Sequence, residues 1–179
     1  MRALVFLLGA MTAYGEPSKA VSVFGTVGVV RGAEDEGALG TAAAYGGTVT
    51  LPLAARWAVD VQVLGSRLID RPEFRVRRLQ VSPALVYRRG SEKAHWFIGG
   101  GAGFQQDRTT GTFPAFDSGG QSRAVVLDNT NPGPTLHWRT GGVFHATDRM
   151  LVRGEFFWVN RYLLPDVGAA VSVGVRLGR

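Results

Sequence analysis

Between Val21 and the carboxyl terminus, apolar residues alternate with polar or small residues in eight successive stretches, each about ten residues long. The last stretch is the plainest: Val167, Ala169, Val171, Val173, Val175 and Leu177 form one row, opposed by Gly168, Ala170, Ser172, Gly174, Arg176 and Gly178. Period two sends successive side chains to opposite faces of a strand. An apolar row backed by a thin polar row predicts a strand whose apolar side meets lipid.

The same reading places strands over Val21 to Val30, Thr41 to Leu53, Trp57 to Gly65, Phe74 to Arg88, Ala94 to Phe104, Pro134 to Ala146 and Met150 to Asn160. Short connectors at Ala54 to Arg56, Arg89 to Lys93 and Thr147 to Arg149 alternate with long ones. Among the long ones, Arg31 to Gly40 and Ser66 to Glu73 read as polar loops. Asp107 to Gly133, rich in Gly, Pro, Asp, Asn, Ser and Thr, reads as an extended surface loop. Outer-membrane barrels have short turns on the periplasmic side and long loops outside. The expected fold is therefore all-β, an eight-stranded antiparallel up-and-down transmembrane β-barrel.

Alternation also assigns an inward row. Asp60, Gln62, Arg78, Gln80, Arg88, His137, Arg139, Arg153, Glu155 and Arg176 fall on it and are expected to form a hydrogen-bonded, ion-paired lumen network, because charge shielded from water is tolerated only when paired. On the outward row, Trp57 and Trp96 lie next to short turns, and Trp138 and Trp158 lie towards the long-loop ends of their strands. These four predict two aromatic girdles.

Composition narrows the picture in three ways. The chain has 179 residues, enough for one domain, and no apolar run approaches the roughly eighteen residues of a spanning helix. It has no cysteine, which removes disulfides, thiolate metal sites and a lipoprotein anchor. Its net charge of +6 would raise the question of nucleic acid in a soluble protein, but the arginines are scattered along strand rows, so no nucleic-acid partner is expected. A basic surface also suits anionic lipid head groups. At the amino terminus, Arg2, the apolar segment Ala3 to Ala13 and the small residues around Ala13-Tyr14-Gly15 read as a cleaved signal peptide over residues 1–15, with a second possible cut after Ala20. The barrel domain is then 16–179.

Candidate chemistry adds little. Glu34-Asp35-Glu36 and the pair Glu92 and His95 lack a metal-ligand spacing, and Gly99-Gly100-Gly101 is followed by neither a lysine nor a helix start, so neither a metal nor another cofactor is expected. His137-Trp138-Arg139 and His145-Ala146-Thr147 lack a nearby serine on the same row, which argues against a hydrolase.

Taken with the strand number, the alternation and the loop asymmetry, the chain resembles the small outer-membrane β-barrel family, the group of the OmpA membrane domain and the OmpX-like barrels. The likeness spans nearly everything after the signal. It implies localisation in a bacterial outer membrane, lipids and lipopolysaccharide as surroundings, and contact with the outer-membrane assembly machinery. Family members typically end on an aromatic residue, whereas this chain ends Val175-Arg176-Leu177-Gly178-Arg179 and keeps the alternating row. The expected role is structural or surface-interacting and not enzymatic, with a plugged lumen and a ligand, if any, at the long loop. The alternatives are a soluble exported lipocalin-like barrel holding an apolar ligand, a lipid-modifying enzyme, or a narrow pore.

Overall fold

A computed structural model describes residues 20–34, 37–71, 73–91, 93–116, 121–161 and 164–177. The signal segment expected over 1–15 lies outside them, as do Asp35, Glu36 and Glu92. Eight strands follow in chain order: β1 (Val21–Glu34), β2 (Gly37–Pro52), β3 (Trp57–Asp70), β4 (Phe74–Gly90), β5 (Ala94–Phe116), β6 (Ser122–His145), β7 (Met150–Asn160) and β8 (Asp166–Leu177). Each pairs antiparallel with its neighbour, and β1 pairs with β8 from Val21 opposite Leu177 to Arg31 opposite Val167, which closes the barrel. Closure leaves the barrel without edges, the condition for a sheet to cross a bilayer.

The rows face as the alternation requires. Val27, Tyr45, Leu136, Trp138 and Phe156 are outward and exposed, Phe156 by 68%, while Arg153 behind them is 2% exposed. An apolar outside around a polar inside is the reverse of a lipocalin-type cup, which turns its apolar row inward. The interior also holds two apolar clusters. One groups Phe24, Ala84, Val86, Phe97, Val143 and Leu151 towards the short-turn end, and the other, nearer the opposite end, includes Val30, Leu64, Leu68, Val76 and Phe157.

The long connectors are the main correction. Arg31 to Glu34 and Gly37 to Gly40 belong to β1 and β2, and β3 runs on to Asp70. The stretch Asp107 to Gly133 is mostly strand: β5 and β6 stay paired from Ala94 opposite Phe144 to Phe116 opposite Ser122. β4 stops accompanying β5 at Phe74 opposite Gly111, and β7 joins β6 only at Leu136 opposite Asn160. The upper part of this hairpin is therefore a two-stranded ribbon projecting past the barrel wall. Pro114, Pro132 and Pro134 suggested loop, but each sits where its outer edge has no neighbouring strand, so the missing N–H costs no ladder bond there.

Pro83 has a different solution. It lies within β4 opposite Val61 with no change of register, and pairing to β5 lapses between Val81 opposite Phe104 and Leu85 opposite Gly100. The guanidinium of Arg139 reaches across β5 and donates from Nη2 to the Ser82 carbonyl at 2.8 Å. It can do so because the inward β5 positions beneath it are glycines, and a Cβ on Gly101 would collide with the Pro83 carbonyl. Outward Gly154 has open space instead. Gly101→Val is expected to abolish the compact, faster-migrating form on an unboiled detergent gel, whereas Gly154→Val keeps it.

Candidate functional site

The lumen is filled by two polar layers whose members come from strands distant in sequence. In the layer nearer the short turns, Arg153 of β7 donates from Nη1 to Asp60 Oδ2 of β3 at 2.7 Å. It donates to Glu155 Oε2 from Nε at 3.0 Å and from Nη2 at 2.7 Å. Asp60 Oδ1 accepts from Thr50 at 2.7 Å, and the Gln62 amide donates to Glu155 Oε1 and to Thr48. The Arg153 guanidinium also lies 4.1 Å from the Phe97 ring centroid and 5.7 Å from that of Phe24. An inward arginine here is held by charge on its edge and by aromatic faces, so its desolvation is offset from several sides.

In the second layer, Arg78 of β4 makes a two-point contact with Asp107 of β5, Nε to Oδ1 at 2.7 Å and Nη2 to Oδ2 at 2.8 Å, and its Nη1 pairs with Asp166 of β8. Arg161 approaches Asp107 at 3.4 Å and donates to Asn131 at 2.9 Å, tying the foot of the hairpin to the rim. Further inward bonds join Gln80 to Ser82 at 2.7 Å and Thr26 to Ser172 at 2.9 Å.

All ten residues of the expected network are inward or line the lumen. The structure brings Asp60, Gln62, Arg153 and Glu155 into one cluster and places Arg78 in the other. Arg139 serves the Ser82 carbonyl, and His137 is buried on the same β6 row. Arg88 lines a small recess at the short-turn mouth together with Asp60, Arg153, His95 and His145. Half-buried Arg176 meets His145 there, Nη2 to Nδ1 at 2.8 Å. A second small recess lies between Leu64, Arg78, Gln80 and Phe157. The Gln62 to Glu155 contact crosses the lumen between the two recesses.

Two carboxylates of the network escape a sequence reading that stops each strand early. Asp107 falls in the expected loop and Asp166 in a connector. Each, however, continues the inward parity, Asp107 two residues past Gln105 and Asp166 two before Gly168. With them, the buried charged residues among the described ones are Arg78, Arg88, Arg139 and Arg153 against Asp60, Asp107, Glu155 and Asp166, four of each sign.

On the outside, Trp57 and Trp96 flank Tyr87 with ring centroids at 5.3 and 5.8 Å, an aromatic patch at the short-turn end. Trp138 stands directly opposite Trp158. That pair is near the far end of β7 but partway along β6, because β6 continues into the ribbon. On the ribbon, Arg108 holds Asp128 through contacts of 3.1 and 2.8 Å, and this hydrogen bond sets the Asp128 carboxyl below its usual range.

Removing one member of a buried ion cluster strands the others. Arg153→Ala, which leaves Asp60 and Glu155 without their cation, is expected to cost about 3–5 kcal/mol of stability. Replacing the cluster together, as Asp60→Leu, Arg153→Met and Glu155→Leu, is expected to recover most of it. Urea unfolding of protein folded into liposomes measures both.

No family model matches this chain, and no curated protein matches it. Solved structures do. OprG of Pseudomonas aeruginosa is 10% identical, with 92% of this chain and 99% of that one covered at a TM-score of 0.60. Ail, the attachment invasion locus protein of Yersinia pestis, is 11% identical, with 89% and 99% covered at 0.58. The N-terminal β-barrel domain of Pseudomonas aeruginosa OprF is 14% identical, with 89% and 98% covered at 0.56. The chain thus has the fold of the small outer-membrane β-barrels.

Proposed function

We propose that this protein is a bacterial outer-membrane barrel with no catalytic role, whose lumen is closed by its own side chains and whose work is done at the surface by the β5–β6 ribbon. The observation that carries this reading is the division of the molecule. The interior is occupied by a charge-balanced network crossing between β3 and β7, while the longest strands project past the wall.

Closure of the lumen is supported by the position of the Gln62 to Glu155 contact between two separate recesses. A diffusion path needs a continuous polar passage, and eight strands leave an interior that side chains nearly fill. The absence of catalysis is supported by the histidines: His137 faces the lumen beside Arg139, and His145 is engaged with Arg176 and the ring of His95, 5.9 Å away.

The ribbon presents Phe113, Val125, Val126 and Leu127 to solvent, Val126 by 74%. Exposed apolar residues on a strand pair with open edges form a surface that a partner chain can cover. Ail, which shares the fold, is the attachment invasion locus protein of Yersinia pestis and has been crystallised in complex with the heparin analogue sucrose octasulfate. An adhesive role for the ribbon is in keeping with that relative. The outer-membrane assembly machinery and the surrounding lipids complete the expected partners.

Two measurements test the proposal. In planar bilayers the folded protein is expected to give no steady, large conductance, and a persistent open channel overturns the closed lumen. Replacing residues 112–126 by a two-residue turn is expected to leave the heat-modifiable barrel intact and to abolish attachment of expressing cells to extracellular matrix. Unchanged attachment overturns the role of the ribbon.

A further inference from the structure

Three outward arginines stand side by side on neighbouring strands. Arg67 of β3 is directly opposite Arg77 of β4, and Arg77 is directly opposite Arg108 of β5. All three are exposed. Like charges directly opposite one another across strands are destabilising, so such a row calls for a counter-charge. Arg67 has Asp70 at 3.6 Å and Arg108 has Asp128 at 2.8 Å, but the central Arg77 has no ionic partner among the described residues.

The height of this row on the barrel is informative. On β4, Arg77 is ten residues from Tyr87, the centre of the aromatic patch near the short turns. Ten residues span about 33 Å of strand, or about 25 Å along the membrane normal at a tilt near 40°, which equals the height of the apolar band of such barrels. Arg77 therefore stands where the hydrocarbon ends and lipid head groups begin, on the ribbon side.

Directly beneath the arginines the surface is grooved. Tyr45, Gly65, Leu79 and Gln106 form the cross-strand row one step towards the membrane centre, and outward Gly65, with the Tyr45 ring packed against it, floors a shallow trough beside Leu79. The trough is lined mainly by Tyr45, Val63, Gly65 and Leu79, with Arg77 and Arg108 at its head. An apolar trough of this kind running down from an unneutralised guanidinium matches a molecule with an anionic head and an apolar tail.

We infer that Arg67, Arg77 and Arg108 bind the phosphate monoester of an acylated lipid in the leaflet on the ribbon side, with an acyl chain lying in the trough over Gly65. Guanidinium and phosphate match in charge and in two-point hydrogen-bond geometry, with Arg77 as the principal contact. The site rests on the membrane reading above and gives it a specific lipid chemistry.

The test uses the full-length barrel in phosphatidylcholine liposomes doped with bisphosphorylated lipid A or with dephosphorylated lipid A. Lipid retained after detergent extraction is counted by native mass spectrometry. Retention of the phosphorylated form is expected to exceed that of the dephosphorylated form roughly tenfold, and Arg77→Gln is expected to remove that preference. Arg89→Gln, outward at the opposite end, is expected to keep it. Excess inorganic phosphate is expected not to displace the lipid. Equal retention of the two lipids, or an unaltered preference in Arg77→Gln, overturns the site and leaves the arginines as interfacial anchors only. Full displacement by inorganic phosphate overturns the part of the trough. Failure of the barrel to insert overturns the membrane reading and the site together, which separates the two failures.

Discussion

Everything inside this barrel depends on balancing buried charge. Four arginines and four carboxylates lie out of water among the described residues. In such a setting a single unmatched charge costs several kcal/mol. Strand order and register are what place Arg153 against Asp60 and Glu155, and Arg78 against Asp107 and Asp166. A shift of register by one residue would send every one of these groups outward and the valines inward. The network is therefore as much a specification of register as a source of stability.

The fold was largely legible because period two is a local property, and each strand declares its faces without reference to its neighbours. Partner choice was less legible. That Asp60 meets Arg153 depends on β3 and β7 facing each other across a closed ring, which no local pattern encodes. The ends of strands were least legible. Thr109, Thr110 and Thr112 favour strand, but glycines, prolines and asparagines nearby carry the signature of a loop, and the competing signals were resolved by the unoccupied edges that let the prolines stay in the ribbon. Reading Asp107 as loop also hid half of its layer, so the interior looked richer in arginine than it is.

The exterior obeys a different rule. Outside the wall, apolar side chains meet apolar surroundings and need no partners, so the sequence there is constrained mainly by height, with aromatic residues and arginines set towards both boundaries of the apolar band. With the buried charges among the described residues equal in number, the net charge of +6 lies with residues outside that buried set. The ribbon hairpin does not supply that excess, since residues 107–133 carry Arg108 and Arg123 against Asp107, Asp117 and Asp128.

The seam between β1 and β8 joins Val21 to Leu177, close to the largest sequence separation the chain allows. Hairpins such as β5–β6 can zip from their own turns, whereas this seam waits for the slowest loop closure. Asp166 and Arg78, on β8 and β4, are brought together only when the ring is complete. Ring closure and neutralisation are thus a single late event. Once formed, the seam cannot open without disturbing a buried ion pair as well as its own ladder, so the strand pairing most distant in sequence is tied to the interior charge.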